Sequence, residues 1–283
     1  MKIAFWSNTY EQARVSYNLA AVSIACVMRF PYSVSVMENH LHKDNLGLAF
    51  LGTNRVPFIR EVGTNYYEGG GVEGLLRYVC RGSNNPPELR TYLKEVIHKH
   101  LYYIPQSRYI HNELFDYELN DNLAPLFNLL EESNDICFID TAPLNLNSKA
   151  ILETADLIVV NLCQNINFLE DFIESYSSLI PKSVFIIGNY LTQTFLNYRK
   201  ISNLYDIPLD IIAPIPWNEA FQAACSRGRA VEFITGNYKC TKDNPNYLFI
   251  QAIRKASGMI IKRAELSGEL IRKEHGPCGR LHC

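Results

Sequence analysis

Ile136-Cys137-Phe138-Ile139-Asp140-Thr141-Ala142-Pro143 runs four apolar residues into an acid and then into a proline-fixed turn. An unbroken apolar run of this length reads as a strand buried on both faces, the habit of parallel sheets. Asp140 then falls at the strand's carboxyl end, where open α/β sheets gather ligands. Similar runs lie downstream at 157–161, 184–189 and 211–214, and upstream at 101–105, 32–37 and 3–6. Helical patterns separate them. Residues 14–29 carry Leu19, Ala20, Val22, Ile24 and Val27, and 71–80 carry Val72, Leu75, Leu76 and Val79. Residues 167–180 form a third, and 246–264 repeat Phe249, Ile253, Ala256 and Ile260 at helical spacing. The alternation predicts an α/β fold: a mostly parallel twisted sheet with helices on both faces. One domain is expected over residues 1–264, followed by a tail over 265–283. Residues 52–71 and 81–87 read as long loops.

The chain has 283 residues, 47% hydrophobic and 20% charged, ample for a large core. Its formal net charge of −2 gives no global pull toward nucleic acid or acidic membranes, so either would need a local patch. The opening residues read as a strand, lacking the basic n-region and cleavage site of a secretory signal. The most apolar stretches, 157–160 and 184–187, are far too short to span a bilayer. A cytoplasmic protein is the expectation. Six of the eight cysteines (Cys26, Cys80, Cys137, Cys163, Cys225 and Cys240) stand singly, several in apolar segments, as reduced thiols that pack like small hydrophobes.

Four pieces in order resemble the ParA/MinD family of deviant P-loop proteins. First come an opening strand, a loop and a helix carrying Asn18-Leu19-Ala20-Ala21. Cys137 to Pro143 is similar to the family's strand-ending IDTPP, and Leu152 to Val160 looks like the helix-to-strand step that follows it. Ile186-Ile187-Gly188-Asn189-Tyr190 and Ala213-Pro214-Ile215-Pro216-Trp217-Asn218 look like the segments that flank the adenine pocket. Leu101-Tyr102-Tyr103-Ile104-Pro105-Gln106-Ser107 is similar to a strand of the pilus-assembly branch, TadZ and CpaE. The likeness spans residues 1–259. It implies a P-loop NTPase-like sheet, ATP and Mg2+ as cofactors, and a homodimer that engages the protein partners of a larger assembly.

The resemblance also implies a phosphate loop close to KGGxGKT[TS]. Its glycines let backbone N–H groups converge on the anion, and its lysine neutralises the charge. Counted back from Asn18, the stretch here is Ser7-Asn8-Thr9-Tyr10-Glu11-Gln12-Ala13-Arg14, running on to Val15 and Ser16, without glycine or lysine. Side chains block the close approach that glycine permits, and a non-glycine forced left-handed costs about 1–2 kcal/mol. Glu11 sets an acid where polyphosphate would sit, Arg14 offsets it, and Ser16 offers a hydroxyl to Mg2+. The nucleotide-binding candidates are thus Glu11, Gln12, Ala13, Arg14, Val15 and Ser16, with Asn189 for the base edge and Pro216 and Trp217 for the pocket wall. The plainer alternative is a strand-to-helix turn with a polar helix start, Asn189 in a strand-to-loop turn and Trp217 in the core.

Asp140 stands where the family holds the Mg2+ hydration shell, so Ser16 and Asp140 form the metal pair if nucleotide binds; Asp140 equally suits a turn cap. Glu38 and His40 follow strand 32–37 where two Asp residues are usual, which weakens a water-activating role there. Asp140 and Glu38 are the catalytic candidates. His40 and His42 share a face on a strand and read as surface or packing residues, because no third ligand is evident nearby. From Tyr247 onward seven basic residues face three acidic ones. Relatives such as MinD hold membranes with a basic C-terminal helix, but the apolar face after Gly258 is short, and a solvated helix end accounts for the charge. His275, Cys278, His282 and Cys283 match no standard zinc spacing. Three functions compete. The chain is a scaffold that positions a pilus or secretion machine with weak or absent hydrolysis, a working ATPase switch, or a DNA-binding partition or regulatory protein. Loss of the loop chemistry inside an intact frame favours the scaffold.

Overall fold

The computed structural model describes residues 1–40, 45–52, 71–82, 85–106 and 112–267. His42, Ser107, residues 53–70 and 83–84 of the expected loops, and the tail from 268 lie outside them. Eight strands form one sheet: β1 (Lys2–Trp6), β2 (Val34–Glu38), β3 (Lys94–Ile97), β4 (Leu101–Tyr103), β5 (Ile136–Asp140), β6 (Leu157–Leu162), β7 (Ser183–Tyr190) and β8 (Ile212–Pro216). Their spatial order is β3-β4-β2-β5-β1-β6-β7-β8. Every neighbouring pair is parallel except β3 with β4. The expected mostly parallel sheet is therefore present, with one antiparallel strand added at its edge.

The helices are α1 (Tyr10–Ala13), α2 (Val15–Arg29), α3 (Leu46–Leu51), α4 (Gly71–Cys80), α5 (Pro86–Leu89), α6 (Asn112–Ser133), α7 (Leu146–Thr154), α8 (Ile166–Tyr176), α9 (Tyr198–Tyr205), α10 (Glu219–Cys225), α11 (Ala230–Asn237) and α12 (Tyr247–Leu266). They cover both faces because the strands are apolar on both. In β1, Ile3 and Phe5 join the core beneath α2 and α12, while Ala4 and Trp6 join the core beneath α6, α7 and α8. α12 lays Phe249, Ile253, Ala256 and Ile260 on α2 and β8, all of them buried. The helix expected at 167–180 stops at Tyr176 and tightens into a 3-10 turn, Ser177–Lys182, that contains Pro181. Proline has no N–H to continue an α-helix. No helix among the described residues is long and apolar enough to cross a membrane.

Parallel strands direct their carboxyl ends to one edge, and asparagine organises that edge. Asn45, Asn145, Asn165 and Asn218 each cap the helix that follows, accepting hydrogen bonds from first-turn amides of α3, α7, α8 and α10. A side-chain oxygen satisfies amides that a helix start leaves without partners. The sharp returns from strand to helix hold the candidate residues in place.

Candidate functional site

Residues 7–16 leave β1 as a turn closed by its own side chains. The buried Ser7 hydroxyl accepts from the Thr9 amide at 3.0 Å. The chain then takes one helical turn, α1, passes through Arg14 in the left-handed region (φ 53°, ψ 48°), and enters α2 at Val15. Gln12 is exposed, Ala13, Val15 and Ser16 are buried, and Arg14 is half-buried; the Glu11 side chain lies outside the described set. The Ala13 carbonyl accepts from Asn18 Nδ2 at 3.0 Å, and the same nitrogen gives to Asn161 Oδ1 on β6 at 2.9 Å. Against β7 the approach is closer still. A Cβ on Gly188 would lie 2.4 Å from the Ala13 oxygen, so only glycine fits there. The turn is thus packed down onto β6 and β7.

Arg14 does not reach into the turn as the sequence suggested. Its guanidinium lies 5.3 Å from the Tyr17 ring centre and 5.8 Å from that of Trp217, within cation–π range of both. Trp217 is 43% exposed rather than a core residue. Arg14, Asn189, Pro216 and Trp217, drawn from three distant parts of the chain, meet with Tyr17, Asn18 and Phe221 around one cleft of about 30 Å³. That is room for ordered water within the cleft itself. Asn189 sits left-handed at φ 49°, a conformation Asn tolerates better than most residues, and its Nδ2 makes a long 3.5 Å contact to the Gln12 carbonyl. Ser16 lines a separate void of about 10 Å³ with Asn45, Leu48 and Cys225.

A second group lies across the middle of the edge. β2 and β5 pair in register so that Glu38 stands beside Asp140. His40 follows two residues after Glu38 and is buried, contrary to a surface reading; its Nε2 lies 3.4 Å from Asp140 Oδ1. One oxygen of Glu38 accepts from the Leu46 amide and the other from the Tyr103 hydroxyl, both at 2.8 Å. Burial pushes the Glu38 carboxyl up; His40 pulls it down and Asp140 raises it again, leaving it at about 7. Burial works against the charged form of His40, but Asp140 and Glu38 outweigh it and hold its pKa above the usual value. Asp140 is fully buried and among the described residues neither of its oxygens accepts a hydrogen bond, so the Ser16 hydroxyl does not reach it.

Polar neighbours that the sequence did not disclose fix this group. The Asn39 amide bonds the Asp140 carbonyl at 3.0 Å, and its side-chain oxygen accepts from the Ala142 amide at 2.7 Å. Asn145 returns a bond to the Asn39 carbonyl, and Gln106 donates to the carbonyl of His40. A Cβ on Gly47 would come within 3.0 Å of the Tyr103 hydroxyl, so the bare α3 turn lets Tyr103 reach Glu38. Tyr103 and Gln106 were visible only as a strand and its exit.

A mostly parallel sheet in this order, with a strand-turn-helix at its centre and an acid ending the neighbouring strand, is a P-loop NTPase-like α/β fold of the kind seen in ParA and MinD structures. Solved structures share that fold. A ParA family ATPase from Chlorobium tepidum TLS aligns with a TM-score of 0.68 and 14% identity over 90% of this chain and 98% of that one. The septum site-determining protein MinD complexed with Mg-ADP from Pyrococcus horikoshii OT3 aligns at 0.66 and 17% identity over 94% and 98%. A chain of the MinC:MinD cell division protein complex of Aquifex aeolicus aligns at 0.63 and 13% identity over 92% and 96%. No protein-family model and no curated sequence matches the chain.

Proposed function

We propose that this chain is a degenerate ParA/MinD-type positioning protein, a dimeric scaffold for a pilus- or secretion-type assembly in the cytoplasm, with weak or absent nucleotide hydrolysis. The observation that carries the reading is the turn at residues 7–16. It has no glycine and no lysine, it spends four residues on a helical turn, and its one basic side chain is committed to Tyr17 and Trp217. Phosphoryl transfer depends on positioning and charge neutralisation, and the described part of this turn supplies neither. As the turn and cleft stand, they offer ATP and Mg2+ no phosphate cradle. In this reading residues 1–264 act as the folded unit and 265–283 as an appendage that begins in the last turn of α12, where Glu265 accepts from the Tyr32 hydroxyl.

Support for a dimer comes from the edge itself. Leu144 and Leu146 follow β5, Ile166 follows β6, Leu191 and Phe195 follow β7, and Trp217 follows β8, all exposed. A row of large apolar side chains on one edge is the kind of surface that another protein covers.

The test is thermal unfolding with and without millimolar ATP and Mg2+, run beside a hydrolysis assay. An unchanged Tm and no phosphate release are expected. A ligand at a hundred times its Kd stabilises a native protein by about 2.7 kcal/mol, so a rise of several degrees would overturn the reading. The second reading, an ATP-binding switch, draws on the Mg-ADP named with the Pyrococcus horikoshii protein and on the cleft shared by Asn189, Pro216 and Trp217. It requires that Arg14 leave its rings, and Arg14→Ala would then weaken ATP binding.

A further inference from the structure

Glu38, His40 and Asp140 each present a ligand atom, and these atoms lie within 4.8 Å of one another in a fully buried setting. We propose that they form a site for one divalent transition-metal ion, with Zn2+ the best match, that needs no nucleotide. The acids alone would not carry this. The independent observation is Asp140: none of its surface is exposed, and among the described residues neither carboxylate oxygen accepts a hydrogen bond, with His40 Nε2 at 3.4 Å as its polar neighbour. A buried carboxylate that accepts no hydrogen bond is costly and rare, and a cation between the three side chains would be shared by Asp140 and that imidazole.

The donor set narrows the ion. One imidazole with two carboxylates suits Zn2+ and its first-row neighbours, whereas Mg2+ and Ca2+ take oxygen ligands only. Charge closes as well, because a divalent ion with two carboxylates and a neutral imidazole sums to zero inside the protein. The separation of His40 Nε2 from Asp140 Oδ1 is 3.4 Å. Two ligands of a tetrahedral zinc at 2.0–2.2 Å from the metal stand about 3.4 Å apart. Glu38 brings the third ligand atom within 4.8 Å of the other two. The orienting bonds that metal ligands usually possess are present too, from the Leu46 amide and the Tyr103 hydroxyl to Glu38. Three protein ligands among the described residues leave a fourth position for another donor.

The experiment uses the full-length chain, stripped with a chelator and then given Zn2+ or Co2+ alone, with no nucleotide, so that its outcome is separate from the ATP test. One equivalent of Zn2+ by calorimetry, a rise in Tm, and the visible absorption of low-coordinate Co2+ are expected. His40→Gln and Asp140→Asn should each weaken binding at least tenfold while circular dichroism reports a folded protein, and Glu38→Gln, which keeps a carbonyl acceptor, is a second route if either fails to fold. A chain with His275, Cys278, His282 and Cys283 all changed to Ser should bind as the parent does. Absence of Co2+ absorption and Zn2+ heat in the parent chain would overturn the proposal. So would binding that survives in folded site variants, or that disappears with the tail substitutions.

Discussion

Tyr103 and the Leu46 amide hold the two oxygens of Glu38 where water is excluded, so each bond is stronger than it would be at a surface. Tyr103→Phe keeps the ring against Phe50 and removes only the donor. The expected cost is about 1–3 kcal/mol, that of a buried acceptor left short of a partner. Urea denaturation measures it, and an unmoved midpoint would mean the bond adds nothing to stability. Thiol chemistry is set by burial in the same way. Burial pushes Cys26 and Cys225 up to about 12 and Cys137 up to about 11. The thiolate is the reactive form, so alkylation of the native protein, mapped by peptide mass, should label the exposed Cys80 and spare those three until denaturant is added. Early labelling of Cys26 would show that α2 lifts from the sheet. At this scale the sequence was only half legible. Asp140 could be picked out because an apolar run precedes it, and Glu38 through the resemblance, because it stands where the family has an acid. His40 could not be joined to them, since its partner Asp140 lies far along the chain and meets it only through the pairing of β2 with β5.

α12 shows how a single stripe ties an element to the fold. Ile253 is fully buried within the face that meets α2 and β8, whereas Leu248 on the same helix is 69% exposed. Ile253→Ala should cost about 2–5 kcal/mol through lost burial and the cavity left behind. Leu248→Ala should stay within about 0.5 kcal/mol. Equal effects in chemical denaturation would mean that α12 does not dock as described. The seven parallel strands and the helices at 14–29, 71–80 and 246–264 were readable because their apolar patterns are dense and unbroken. β3 was not, because Lys94 and Glu95 are exposed and an edge strand needs little apolar content. α6 does carry Phe115, Leu119, Leu123, Leu126 and Leu130 at helical spacing. The stripe is diluted by Asn120, Asp121, Asn122 and Pro125, residues that favour turns over helix interiors. α1 left no trace at all, since four residues are too few for a period.

At the scale of the whole molecule, the two readings of function part over what controls association. A nucleotide switch brings two copies together only when ATP is bound, whereas a scaffold that has lost its phosphate loop must associate through its own surface. The carboxyl edge of the sheet offers that surface, with Leu144 82% exposed and Phe195 76% exposed at positions where a monomer gains nothing from large apolar groups. Burial of such side chains in an interface is worth about 25 cal/mol per Å² of apolar area. Sedimentation at micromolar concentration should therefore give a dimer whose dissociation constant is the same with and without ATP and Mg2+. Leu144→Glu combined with Leu146→Glu places two charges in the interface and should raise that constant at least a hundredfold. Because neither side chain is packed in the core, the thermal unfolding of the resulting monomer should be that of a folded protein. A parent chain that stays monomeric until ATP is added would reverse the argument, making Arg14 a gate that nucleotide opens rather than a plug.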